Sequence, residues 1–247
     1  MVDTDGVSAP AIYDRIAAAY EAHASNGFAN AHLDRPAMLS LCGDVAGLDV
    51  LDVGCGPGLY AAELLDQGAR SLTAFDASAE MVRLATERLG PRATVTRHDA
   101  DQPLIWLHDA SIDLVVCALM IHYVEDRAAL YRELHRVLRP DGALVLSTQH
   151  PTADWLRRGG SYFATERTAD LWRLAGGFEM PMWRLSLSTL CSELTDSGFL
   201  IERLVEPLPA LSGRAIDPDE YAKCCEEPSF LALRVINDPR QPTSRLG

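Results

Sequence analysis

From Val50 to Thr148 the chain alternates short apolar or β-prone runs with amphipathic stretches. The runs are Val50–Val53, Ser71–Phe75, Ala93–Arg97, Ile112–Ala118 and Ala143–Thr148. Each has strand length, and Ile112–Ala118, apolar but for Asp113, is the pattern of a parallel strand buried on both faces. Between them Tyr60–Asp66, Ala79–Leu89 and Tyr131–Arg139 show helical spacing, and Arg139-Pro140-Asp141-Gly142 reads as a turn. Strand and helix alternating five times predict an α/β fold, a parallel sheet with helices on both faces.

The flanks extend this pattern. Ile12, Ile16, Ala19 and Tyr20 recur at helical spacing over Ala11–Ala24, with Tyr13 and Tyr20 on roughly one face, and Asp34 with Pro36 starts a helix running to about Gly43. After the core, Ser186–Ser197 reads as a helix, and Phe199–Val205 and Phe230–Ile236 as two more strands. Gln149–Arg184 breaks the alternation. It carries Trp155, Trp172 and Trp183 with Tyr162, Phe163 and Phe178, and arginines at 157, 158, 167, 173 and 184. Such a segment builds a small aromatic core of its own, and its place after the fifth strand puts it over the end of the sheet where ligands bind. There it would close over a substrate, with one or more arginines holding an anionic group such as a carboxylate. Pro207–Tyr221 reads as a long Pro-rich connection bordering that site. One domain over 1–247 is expected: a helical cap (11–45), a core (48–148), an aromatic lid (149–185), a closing helix and two strands (186–236) and a flexible tail (237–247), with a flexible lead-in at 1–10.

Charge narrows the partners. A net charge of −13 over 247 residues disfavours nucleic acid and anionic membranes, which are bound through Lys and Arg, and favours a small molecule. No basic-then-apolar leader and no apolar run near the ~20 residues of a membrane span is visible, so a cytoplasmic protein is expected. Six cysteines without a C-x-x-C pair point to buried free thiols.

The first strand leads into Asp52-Val-Gly-Cys-Gly-Pro-Gly58, with glycines at 54, 56 and 58. Strand, tight turn and helix form a nucleotide-binding unit, and glycine serves where the backbone takes positive φ or lies against a ligand. A dinucleotide pyrophosphate needs free N–H groups at the helix N-terminus, and its third glycine usually comes three residues after the second. Here it comes two after, Pro57 removes an N–H, and Asp52 would repel a phosphate while welcoming an ammonium group. Asp76 follows Gly58 by 18 residues. That is close to the offset at which a carboxylate ending the second strand accepts hydrogen bonds from ribose hydroxyls. Asp76 or Ser78 also serves as cap for the next helix.

On the Asp-x-Gly-x-Gly-x-Gly loop, Asp76, and the Leu138-Arg-Pro-Asp-Gly-Ala-Leu-Val-Leu146 segment, the chain resembles the class I S-adenosylmethionine-dependent methyltransferases, of the small-molecule, methyltransferase type 11-like kind. The resemblance is strong over 49–148. It implies a Rossmann-like, seven-stranded, mostly parallel sheet with helices on both faces, an antiparallel last strand, an N-terminal helical cap and a lid insertion after the fifth strand. The implied cofactor is S-adenosyl-L-methionine, and the implied reaction is methyl transfer to a small organic acceptor at O, N or C. Asp52 would take the ammonium group, directly or through water. Gly54, Cys55, Gly56 and Gly58 would approach the methionine moiety, and Asp76 with Ala77 and Met81 the ribose side. An acidic residue after the third strand would meet the adenine, which implies Asp99 with Ala100, Asp101 competing. Ala118 and Leu119 would bracket the sulfonium side. In the family an N-terminal helix of the Tyr-Asp-x-Ile-Ala-x-x-Tyr type lids the cofactor, which implies Tyr13 and Tyr20.

On the acceptor side stand Tyr123, Trp155, Tyr162, Phe163, Trp172 and Trp183. His122 and His150, just past the fourth and fifth strands, should face the pocket mouth and are candidate bases, since a histidine accepts a proton near neutral pH. Spacing supplies no third ligand for a metal held by these two, so no metal is expected. A monomer or homodimer is expected. The alternatives are an NAD(P)-dependent oxidoreductase, against which the glycine spacing, Asp52 and Pro57 count, and a non-catalytic S-adenosylmethionine-binding protein.

Overall fold

The structure, a computed structural model, describes residues 7–238. Its central sheet has seven strands: β1 (Asp49–Val53), β2 (Ser71–Asp76), β3 (Thr94–Arg97), β4 (Ile112–Ala118), β5 (Leu138–Gln149), β8 (Phe199–Val205) and β9 (Phe230–Asn237). Their order is β3-β2-β1-β4-β5-β9-β8. The first five run parallel, and β9 is antiparallel to both β5 and β8. This is the expected Rossmann-like arrangement.

Pleating decides which layer each strand residue enters. In β1, Leu51 and Val53 join a core with α5 (Arg127–Val137) and α7 (Leu187–Asp196), through Leu130, Leu134, Leu190 and Leu194. Val50 faces the other way, into a core with α2 (Arg35–Cys42), α3 (Leu59–Asp66) and α4 (Ala79–Leu89), through Met38, Leu64 and Leu89. Helices therefore cover both faces, as parallel strands require.

Several boundaries differ from the pattern reading. The first helix, α1 (Ala9–Asn26), takes in Ala9 and Pro10, assigned above to a flexible lead-in, because Ala9 is buried against lid residues. A π-helical turn, Phe28–Asp34, joins α1 to α2. α5 begins four residues earlier than its apolar spacing indicates, because the Asp126 side chain accepts the Ala129 N–H and caps it. The Arg139–Gly142 turn lies within β5 as an irregularity in its pairing with β4, where Arg139 meets Asp49 and Asp113. At the end of the described residues, Asn237 belongs to β9 and the Asp238 N–H reaches the Gly198 carbonyl. Residues 1–6 and 239–247, read above as flexible, lie outside the described residues.

The insertion is a helix, α6 (Pro151–Arg158), and a separate antiparallel hairpin of β6 (Glu166–Trp172) and β7 (Phe178–Arg184). Phe178, Met180 and Met182 of β7 pack on Ile12 and Ile16 of α1, so the lid and the N-terminal cap share one core. The connection after β8 forms two short helices, α8 (Gly213–Ile216) and α9 (Pro218–Cys224). It packs against the π-helical turn, with the Ala210 N–H donating to the His32 carbonyl and Gly213 under Phe28. It was expected to border the substrate site, but none of it lines the cavity at the carboxyl ends of the strands, because it packs on the π-helical turn instead. All six cysteines are free, and only Cys225 is exposed. No helix among the described residues is long and apolar enough to cross a membrane.

Candidate active site

A cavity of about 400 Å³ opens at the carboxyl ends of β1, β2 and β4, the size of a small-ligand pocket. Gly54 and Gly56 form part of its floor with φ of +65° and +53°. A Cβ on Gly54 would stand 2.9 Å from Met120 Cγ, so glycine lets this backbone lie against the wall. Asp76, ending β2, accepts the Gly56 N–H at Oδ2 and the Ser78 N–H at Oδ1, both at 2.9 Å. Burial pushes its carboxyl up to about 6, and each oxygen of this cavity-lining carboxylate retains further acceptor capacity. The cap of α4 is Ser78, whose hydroxyl accepts the Met81 N–H.

Ala77, Met81, Asp99 and Ala100 line the same end. Asp101 lines it too, but its Oδ1 accepts the N–H groups of Glu125 and Asp126 and fastens the loop after β4. Ala118 and Leu119 form the wall at the tip of β4. Leu119 takes φ +51°, a strained value for a branched residue, held by its N–H bonds to the Ser147 carbonyl and hydroxyl. Tyr13, Tyr20, Tyr123 and Trp183 close the far side, with the Tyr13 and Tyr123 hydroxyls 3.0 Å apart.

Not every expected residue reaches the cavity. Gly58 has φ +77°, but a Cβ there would meet Ala85 and Leu89 at 3.2–3.3 Å, so its role is the close packing of α3 on α4. Trp172 lies behind the wall, stacked on Tyr20 with ring centres 6.2 Å apart. Trp155 donates to the Gly160 carbonyl, the Tyr162 hydroxyl accepts the Leu187 N–H, and Phe163 is 76% exposed on the outside of the lid. These three serve the lid's own structure.

Neither histidine faces the mouth as expected. His122 is buried and hydrogen-bonded through Nδ1 to the Thr148 hydroxyl, beside a separate small cavity under α6 and β7. Burial pulls its pKa down to about 4, with Asp154 opposing the shift. His150 caps α6 by accepting the Thr152 N–H at Nδ1, and its Nε2 meets Glu206 at 3.0 Å. The strand-end position was legible in the sequence; the ring directions, set by Thr148 for His122 and by Thr152 and Glu206 for His150, were not.

Beneath the glycine loop a second cavity of about 40 Å³ shares the walls Tyr20, Gly54, Gly56, Ala118 and Leu119 with the first. Asp52 and Cys55 line this smaller space. Asp52 is 1% exposed and its Oδ2 has no hydrogen-bond partner. Burial, reinforced by the charge of Asp76, pushes its carboxyl up to about 7. Arg35 lines the same space with its Nε unpartnered, while its other nitrogens hold Glu63 and the Ala24 carbonyl. Asp34, there as well, accepts the Tyr60 hydroxyl, and burial pushes it up to about 6. Sequence reasoning saw only a helix start in Asp34-Arg35-Pro36; adjacent charges at an apolar boundary were the overlooked signal. Also missed were Met120, Glu125 and Met182, which line the large cavity; Arg167, one of five insert arginines, joins them.

Comparison with known proteins bears on the family. The Methyltransferase domain family profile matches residues 51–146, covering β1 to β5. An S-adenosylmethionine-dependent methyltransferase from Mesorhizobium loti superposes with a TM-score of 0.65 at 28% identity, covering 82% of this chain and 96% of that one. Residues 51–146 form a methyltransferase domain, and the chain is similar in fold and sequence to the S-adenosylmethionine-dependent methyltransferases. Among sequence relatives, the malonyl-[acyl-carrier protein] O-methyltransferase of Pseudescherichia vulneris is 34% identical over 138 residues, 56% of this chain and 52% of the relative. A ubiquinone biosynthesis O-methyltransferase of Xanthomonas oryzae is 38% identical over 112 residues, 44% and 46%. The chain thus spans about half the length of these two enzymes. The oxidoreductase alternative falls with this assignment.

The methyltransferase cofactor is S-adenosylmethionine, and the two adjoining cavities, which share five lining residues, present polar groups suited to its two ends. A buried carboxylate oxygen and a buried guanidinium nitrogen without partners are costly unless a ligand satisfies them, and an ammonium with its neighbouring carboxylate does so.

Proposed function

We propose that this methyltransferase esterifies the carboxylate of a small organic acid with an apolar body, using S-adenosylmethionine. In this reading Asp76 binds the ribose hydroxyls and Asp99 the adenine, while Asp52 and Arg35 hold the two charges of the amino-acid end. These groups occupy the β1, β2 and β3 side of the site. The acceptor then lies on the β4 and β5 side, beneath the lid.

The carrying observation is what that side lacks. The one histidine among the described residues lining the large cavity, His98, follows β3 on the opposite side, where its Nε2 meets the Gln102 carbonyl. Burial pushes the Tyr13 and Tyr123 phenols above their ordinary range, His122 and His150 are engaged elsewhere, and Glu125 is paired with Arg167. A general base is needed only when the nucleophile arrives protonated, and a carboxylate does not. Arg167 supplies a permanent positive charge, the Tyr13–Tyr123 pair a hydroxyl donor, and Met120, Met182 and Pro181 an apolar wall. The cofactor supplies a methyl group already activated on a sulfonium. What remains for the chain is to hold the acceptor oxygen in line, to exclude water with the lid, and to pay the orientation entropy. That two relatives are O-methyltransferases by name agrees with oxygen as the acceptor atom.

The test measures S-adenosylhomocysteine release, with mass-spectrometric detection of methyl esters, over a panel of aliphatic and aryl acids and their matching amides, alcohols and amines. Esters from acids alone support the reading. Turnover confined to neutral or cationic compounds overturns it.

A further inference from the structure

Arg167 and Trp183 stand directly opposite each other on β6 and β7. Together they grip one carboxylate: Arg167 Nη1 lies 2.6 Å from Glu125 Oε1, and the Trp183 indole N–H donates to Glu125 Oε2 at 3.1 Å. A guanidinium and an indole N–H converging on the two oxygens of one carboxylate make a receptor for that group. All three side chains line the large cavity on its lid side. We propose that Glu125 is a resident carboxylate in the acceptor's own anion subsite, and that the substrate acid binds by displacing it from Arg167 and Trp183. This deepens the proposed function and rests on it.

The other lid arginines are committed elsewhere. Arg157 and Arg158 pair with Asp154 and Asp170, and Arg184 faces Asp154 and Glu166. Arg173 is exposed and does not line the cavity. The Arg167–Glu125 pair differs from a structural bridge in its setting. The side chains are 52% and 46% exposed, and a pair so hydrated adds little to stability and breaks easily. Trp183 itself stays in place without it, because Arg127 lies 5.9 Å over its ring and is anchored by Glu193. The Glu125 backbone likewise stays fixed, its N–H held by Asp101. Exchange therefore moves one side chain into water and leaves the receptor built. Glu125 competes with the acceptor from a tethered position, so only a ligand that adds apolar contacts to its carboxylate wins the site.

The test uses the full chain saturated with S-adenosylhomocysteine, titrated with 3-phenylpropionate, octanoate and their amides, followed by calorimetry and tryptophan fluorescence. Saturable binding of the acids but not the amides is expected. Glu125→Gln, which keeps an oxygen for the Trp183 N–H, should tighten acid binding roughly three- to fivefold, the equivalent of one exposed ion pair. Arg167→Gln should reduce the acids to the level of the amides, and Trp183→Phe should weaken acids selectively. Equal binding of acids and amides, or acid binding that Glu125→Gln leaves unchanged or weakens, overturns the proposal, as does absence of acid binding to the Glu125→Gln protein. Failure of S-adenosylhomocysteine to bind the wild-type chain would instead overturn the cofactor reading beneath it.

Discussion

Affinity for S-adenosylhomocysteine should fall about tenfold between pH 8 and pH 6 through Asp52 alone. The perturbation is protonation of a carboxyl that is 1% exposed, has an unpartnered Oδ2 and has its pKa pushed up to about 7. Such a group is about nine-tenths ionised at pH 8 and about one-tenth at pH 6, so an ammonium that pairs only with the carboxylate loses about 1.4 kcal/mol. Asp76 and Asp34, each raised to about 6, add at most about a factor of two apiece over the same range. The assay is calorimetric titration with S-adenosylhomocysteine and with 5′-methylthioadenosine, which keeps the nucleoside and lacks the amino-acid end. The first ligand should show the full pH dependence and the second only the small component from Asp76. Asp52→Asn should bind the homocysteine compound weakly at both pH values. A flat profile, an equal slope for both ligands, or a tenfold slope surviving in Asp52→Asn would refute the assignment of Asp52 to the ammonium.

The same carboxyl bears on stability. Its folded pKa is raised, so its favourable contribution to the unligated fold is present below about pH 4 and is lost as pH rises through about 7. Asp52→Asn should therefore raise the Tm of the ligand-free protein at pH 8, by about 3 °C or more, and leave it unchanged near pH 4. Gly58→Ala combines positive φ with contacts to Ala85 and Leu89 and should cost about 2 kcal/mol in denaturant unfolding. Glu193→Gln removes the counter-charge of the buried Arg127 guanidinium and one of its two acceptors and should cost about 2–4 kcal/mol. His122→Gln and His150→Gln should each keep kcat within about threefold, because neither ring reaches the cavity; a loss of about a hundredfold in either would return that histidine to the chemistry.

Where local chemistry was sufficient, the sequence alone determined the outcome. Glycines at 54 and 56 permit the loop's left-handed backbone, which other residues would strain, and the Ile112–Ala118 run, apolar but for Asp113, is buried most fully between two helical layers. Asp76 was legible because its offset from the loop is set by one helix and one strand of ordinary length. The tertiary structure decided what depends on packing between distant segments. Pattern could not tell Gly58 of the helix contact from Gly54 of the cavity floor, since both read as loop glycine. Nor could it say that α6 turns His150 into a cap, or that Arg35 is buried beside Asp52. The five insert arginines are alike along the chain. Only the pairing of β6 with β7, and the docking of that hairpin on α1 and the loop after β4, leaves Arg167 beside Trp183 at the cavity while the acidic side chains of Asp154, Glu166 and Asp170 hold three of the others. Side-chain direction is set by the partner that a segment finds in space, and that partner lies far away in sequence.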